Sequence, residues 1–220
     1  AIAERVPATG RPMRLLLVRH GETPLNAARV MQPPDTPLSP RGLLQARAVA
    51  ERLRAEAVSA LWSIDLPRAW QTADAIARAC GLAALPQPLL HERNFGDLRG
   101  RAYDSLGFDP LAMQEAPTGG ESVPDFEARI DRAFDAALIA AQATGGTFVL
   151  VTHGLVIHSL LARRVALPPG TTLPGRIANA SVTEIVAAAG PGMAPRALRI
   201  DCTAHLSSDR ADDPLALSGG

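Results

Sequence analysis

Short, unbroken apolar runs alternate with longer amphipathic stretches along this chain. Residues 14–18, RLLLV, form a run too short for a helix that breaks at Arg19, His20 and Gly21, the pattern of a buried strand opening into a polar loop. A second run, TFVLV at 147–151, ends the same way at Thr152, His153 and Gly154. Each strand therefore delivers a histidine just past its end. Between them, Ser39 followed by Pro40 predicts a helix through QARAVAERLRAE, and Pro67 predicts another through TADAIARA. A proline in the first helical turn leaves no needed donor unpaired. Ser122, with Asp125 three residues on, is a capping-box-like start for FEARIDRAFDAALIAAQ, which Gly145 and Gly146 stop. After His153, LVIHSLLARRVA reads as helix until Pro168 and Pro169. The segments SVTEIVA and PRALRIDC flank a Gly-Pro-Gly turn and predict a hairpin at a sheet edge.

Strands alternating with helices predict an α/β fold: a single three-layer domain with a mostly parallel central sheet, helices on both faces and an antiparallel edge. Residues 1–12 and 207–220 read as flexible tails on either side of one domain at 13–206. The loop-rich stretch from Gly100 to Gly120, with Pro110 and Pro117, reads as a cap over a site. In open α/β sheets ligands collect at the carboxyl ends of strands, so His20 and His153 share a site if their strands are parallel neighbours.

Composition narrows the partners. With 220 residues and 47% hydrophobic content a sizeable core is available, and with only 4% aromatic residues it must be built from Ala, Leu, Val and Ile. Basic and acidic residues number 22 each, which removes the broad positive field that nucleic acid or an anionic membrane would require. Neither is expected as a partner. Every basic residue is arginine, whose planar fork suits phosphate where lysine offers a point charge. Cys80 and Cys202 lie in no metal or redox spacing, and the chain lacks H-E-x-x-H, clustered cysteines or a dense carboxylate group, so no metal or cofactor is expected. No stretch reaches about 18 uninterrupted apolar residues, and the opening residues lack the apolar core of a signal peptide. The expectation is a cytoplasmic protein; nothing sets its oligomeric state.

The segment LLLVRHGETPLN resembles the Arg-His-Gly signature of the histidine phosphatase superfamily, which includes the cofactor-dependent phosphoglycerate mutases. Further positions follow in the same order: Leu38, Gly42, Gln45 and Ala46; then Ser63, Leu66, Arg68, Ala69, Gln71, Thr72 and Ala73; then Glu92, Gly96 and Gly100. Gly120, Glu121 and Ser122 match the Gly-Glu-Ser helix start, His153 and Gly154 the second histidine, and Asn179, Ser181 and Val182 a late strand. An Arg-His-Gly alone would be weak; the ordered set is specific.

The resemblance implies a phosphomonoester phosphatase acting on a small phosphorylated metabolite through a phosphohistidine, with mutase-type transfer or non-catalytic phosphate binding as alternatives. By it, His20 is the nucleophile, Glu92 the general acid, and Arg19, Arg68 and His153 the groups that stabilise the phosphoryl charge. Thr23, Asn26 and Gly154 join Arg19, Arg68 and His153 as candidate substrate-binding residues. This fits the chemistry, because a loose transition state spreads charge over three oxygens and asks mainly for positioned donors. His20 must hold one ring proton against an acceptor to expose the other nitrogen. His91 is a rival proton donor to Glu92. Trp62 and Trp70 read as packing residues, His158 as a structural histidine, and Arg163 and Arg164 as a solvated helix end; the role of His205 is open. The sequence departs from the family where Leu25 replaces a common tryptophan, Ile64 and Asp65 a Ser-Pro, and Leu98 with Arg99 a Trp-Glu. Arg99 thus reverses a frequent negative charge near the pocket rim.

Overall fold

Continuous burial of a strand on both faces requires an unbroken apolar run, and the runs around 14–18 and 147–151 occupy the centre of the sheet for that reason. A computed structural model describes residues 13–186, 193–211 and 213–217. Its strands are β1 (Arg14–Arg19), β2 (Val58–Ser63), β3 (Ala84–Pro86), β4 (Thr147–Thr152), β5 (Val182–Val186) and β6 (Arg196–Cys202), and they form one sheet in the order β3-β2-β4-β1-β5-β6. The pairs β3–β2, β2–β4 and β4–β1 are parallel, and β1–β5 and β5–β6 are antiparallel. This is the predicted α/β sheet with its antiparallel edge. The turn Gly190-Pro191-Gly192 and the tail at 1–12 lie outside the described residues.

The helices are α1 (Pro24–Ala27), α2 (Pro40–Arg54), α3 (Pro67–Cys80), α4 (Val123–Thr144) and α5 (Gly154–Arg163). Ser39 caps α2 by accepting from the Gly42 amide, and Ser122 caps α4 by accepting from the Asp125 amide. Successive connections from β1 to β2 to β3 step one way across the sheet and those through α4 and α5 step back. Right-handed crossovers between parallel strands therefore put α2 and α3, which pack together, on one face and α4 on the other; α5, which leads into the antiparallel β5, packs with α4. A core of Ala, Leu, Val, Ile and a few Phe residues fills the layers between.

Four differences from the sequence pattern stand out. The strand β2 is hidden in VSALWS, which mixes polar and apolar positions because its start is irregular: its register against β4 shifts between Val58 and Ala60. The helix α5 ends at Arg163, short of the prolines, because the chain turns to join the sheet edge, where Ala166 bonds through its backbone to Pro195 and Ala197. Arg163 and Arg164 are not simply solvated; they pair with Glu127, Asp131 and Asp135 of α4 and join the two helices. Within the segment expected as a C-terminal tail, Ala216 and Leu217 are both buried.

Candidate active site

The site begins with the loop after β1. Parallel pairing sets Arg19 opposite Thr152, so the loops carrying His20 and His153 leave the sheet side by side. Their rings meet edge to face, with centroids 5.0 Å apart. The backbone of His20 is pinned from both neighbouring strands: its amide donates to Thr152 O, and its carbonyl accepts from the Ala180 amide and from Asn179 Nδ2. His205 completes this support, its ring lying between Arg52 and the Ala180 carbonyl.

Glycine is required at the next position because the loop rests against the start of α2. A Cβ on Gly21 would stand 2.5 Å from Gly42 O, and one on Gly42 would stand 2.0 Å from Glu22 O. Neither backbone can move away, since the Gly21 amide donates to Thr72 Oγ1, the Glu22 amide to Gln45 Oε1, and Ser39 Oγ to Glu22 Oε1. Several motif positions, among them Gly42, Gln45 and Thr72, are thus struts of the His20 loop.

His20 is buried, and its Nδ1–H donates to the Gly21 carbonyl at 2.7 Å, which fixes the tautomer and leaves Nε2 as the nitrogen with a lone pair. Burial pushes its pKa well below the usual histidine value, and the charges of Arg19 and Arg68 push the same way. His153 is buried and shifted in the same direction, first by burial and then by Arg68, and its Nε2 has no hydrogen-bond partner among the described residues. A buried polar atom left so needs a partner from outside the chain.

Arg68 sits in the first turn of α3 and is 2% exposed, although a cation there faces the positive end of the helix dipole. Its Nη1 donates to Pro34 O at 3.2 Å and its Nε has no partner among the described residues; desolvation lowers its pKa to about 10, still cationic at neutral pH. Glu92 is buried and accepts from the amides of Arg93 and of Leu155, the latter in the first turn of α5. Burial outweighs those two donors and the charges of Arg19 and Arg68, and raises its pKa to about 7. Near neutral pH such a carboxyl can give a proton and take one back.

Arg68 and Glu92 line a cavity of about 430 Å³ together with Gln32, His91, Arg93, Asn94 and Arg99, and His91 is paired with Asp65. The other expected residues are placed differently. Arg19 is fully buried and donates to the carbonyls of Ile177 and Leu217. Thr23 and Asn26 form the capping box of α1; in addition Thr23 Oγ1 donates to Gln32 Oε1, and Asn26 Nδ2 donates to Leu217 O at 3.0 Å. Gly154 is the first residue of α5, buried beside His153.

Sequence reasoning missed Gln32, which stands in an irregular MQPPD stretch, and Leu217, in the expected tail. It also missed the cap's anchor. Arg93 donates from Nε to Glu121 O, from Nη1 to Met113 O and from Nη2 to Glu115 O, so its whole guanidinium is spent on the loop. Arg129 is saturated likewise by Glu121 and the carbonyls of Leu89 and His91. Among the described residues no three or more His, Cys, Asp or Glu side chains cluster as metal ligands would, and no helix is long and apolar enough to cross a membrane.

The chain is 35% identical over 183 residues to a Yersinia pestis protein named "Probable phosphoglycerate mutase GpmB", an alignment covering 79% of this chain and 84% of that one. Among solved structures, a mycobacterial glucosyl-3-phosphoglycerate phosphatase matches at 32% identity with a TM-score of 0.72, covering 88% of this chain and 100% of the other. YhfR of Bacillus stearothermophilus matches at 29% identity with a TM-score of 0.72, covering 87% and 98%. Residues 15–194 match the family model for the histidine phosphatase superfamily (branch 1), and with the two strand-end histidines side by side at the head of a mostly parallel sheet, the chain belongs to that superfamily.

Proposed function

We propose that this enzyme is a metal-independent phosphomonoester phosphatase that acts on a small phosphorylated metabolite through a phosphohistidine at His20. The observation that carries the reading is the His20 ring, buried beside two arginines and held by Gly21 O in the tautomer that exposes Nε2. In the first step Nε2 bonds to phosphorus as the ester P–O bond breaks, and the Glu92 carboxyl gives its proton to the leaving alkoxide. In the second, water bonds to phosphorus as the N–P bond breaks, Glu92 takes the water's proton, and phosphate departs. Arg68, Arg19 and His153 balance the charge on the transferring oxygens. The mycobacterial phosphatase above has also been solved with inorganic phosphate.

The name of the Yersinia pestis relative favours a second reading, a mutase that returns the phosphoryl group to its substrate. Hydrolysis is preferred because the cap between Gly100 and Gly120 is short and holds only a 3-10 turn, Tyr103–Ser105, and no α-helix. A mutase must keep water from its phosphoenzyme while the intermediate reorients, and such a cap is poorly suited to that. The test is a base-quenched reaction with labelled ester, followed by product analysis with a chelator present. Label on His20, loss of turnover in His20→Ala and release of free phosphate are expected. Efficient interconversion of 2- and 3-phosphoglycerate with little free phosphate would favour the mutase, turnover by His20→Ala would remove the intermediate, and chelator inhibition reversed by one divalent ion would remove metal independence. Absence of turnover with any ester would leave a phosphate-binding protein.

A further inference from the structure

The cavity beside Arg68 and Glu92 carries an excess of positive charge that the phosphoryl group alone does not explain. Four arginines line it: Arg68, Arg93, Arg99 and Arg129. Arg93 and Arg129 are committed to the cap and to Glu121. Arg68 acts electrostatically on both histidines and, on the proposed reading, meets the reacting phosphoryl group. Arg99 remains. Among the described residues it makes no hydrogen bond, ion pair or ring contact from its side chain, yet it is half-buried, loses hydration there and lies close enough to Arg68 to repel it.

The backbone holds Arg99 in place. It closes the 3-10 turn Gly96–Leu98 by donating its amide to Gly96 O, and the next amide, Gly100, donates to Met31 O at 2.7 Å. Gly96 makes the turn possible: its φ is +51°, and a Cβ there would lie 2.0 Å from Thr118 O. A guanidinium carried on that held backbone, partly desolvated and unmatched by any carboxylate among the described residues, is suited to receive an anion.

We infer that Arg99 selects substrates whose leaving group carries a second anion, a carboxylate or another phosphate, and that this anion docks on its guanidinium while the reacting phosphoryl group lies beside Arg68. The inference rests on the phosphate-ester reading of the same cavity and deepens it. It also gives the family's reversed charge at this position a function, because a glutamate there would repel such a group.

The test uses matched esters. 3-Phosphoglycerate and glycerol 3-phosphate differ by a carboxylate against a hydroxymethyl group, and fructose 1,6-bisphosphate and fructose 6-phosphate differ by the second phosphate. Wild-type enzyme should favour the more anionic member of at least one pair in kcat/KM, and the pair that responds identifies the anion. Arg99→Gln should lower that ratio roughly 10- to 100-fold, the range for one charge-assisted hydrogen bond; Arg99→Lys should keep part of it, and Arg101→Gln, at an exposed neighbour, should leave it intact. No preference in either pair, a ratio unchanged in Arg99→Gln, or an equal fall in Arg101→Gln would overturn the inference. Calorimetric binding of the same esters to His20→Ala reads the preference without turnover. If no ester is hydrolysed but binding still depends on Arg99, the phosphatase reading alone fails; if phosphate esters bind without that dependence, the Arg99 inference fails.

Discussion

Replacing Glu92 by glutamine tests stability and catalysis through one proton. Burial moves this carboxyl from an ordinary 4.5 to about 7 in the folded protein. At 1.36 kcal/mol per pH unit, the ionised form is about 3 kcal/mol less favourable folded than unfolded. The folded state therefore binds the proton more tightly, and Glu92 destabilises the fold progressively as pH rises from 4.5 through about 7. His20 and His153 act oppositely: their depressed values give stability that is present above the usual histidine value and is lost as pH falls below it. Those contributions are common to wild type and Glu92→Gln and cancel in their difference. Urea unfolding of both proteins from pH 5 to pH 8 should show wild type losing about 2–3 kcal/mol relative to the glutamine variant. In kinetics, kcat/KM for an alkyl phosphate should fall above about pH 7 in wild type, and Glu92→Gln should remove that limb while costing about 10²- to 10⁴-fold below it. With nitrophenyl phosphate, whose leaving group needs no proton, the loss should be much smaller. Equal losses for both esters would take Glu92 out of the acid role, and a pH-independent stability difference would show that its carboxyl is not held as the structure places it.

Truncating Arg68 or His153 to alanine should slow turnover roughly 10²- to 10³-fold, the cost of one preorganised donor, with the fold intact by circular dichroism; a loss under threefold for either would remove it from charge stabilisation. Gly96→Ala should lower stability by about 2 kcal/mol or more, measured by denaturant midpoint, because the new Cβ meets Thr118 O and the backbone has φ +51°; an unchanged midpoint would show that the turn opens at little cost. Leu217→Ala should cost about 2–3 kcal/mol, since Leu217 is buried with Met31, Phe95 and Leu98; a neutral result would mean that the segment is undocked in solution.

The sequence by itself determined the sheet's centre and named the candidate reacting groups. The short apolar runs within 14–18 and 147–151 read as strands covered on both faces, and each is followed two residues later by a histidine. Prolines and serines at helix starts set α2, α3 and α4, since capping depends on neighbours in the chain. What depends on residues distant in sequence was not legible there. Parallel pairing of β1 with β4 decides that His20 and His153 touch, and it is a choice among strand orders that no local pattern encodes. The Gly21–Gly42 contact explains two motif glycines only once α2 is laid against the loop. Asn26, from the Arg-His-Gly-x-x-x-x-Asn pattern, and Thr23 read as candidate phosphate donors, and only the fold shows that they also form a helix cap and that Asn26 reaches Leu217 O. The segment around Leu217 looked loose because polar, proline-bearing stretches carry no period, and only its burial against Phe95 and Leu98 gives it a place. Arg99 looked like a departure from a motif; its lack of a carboxylate partner among the described residues, which makes it a candidate receptor, is a property of the packed neighbours, and those exist only in three dimensions.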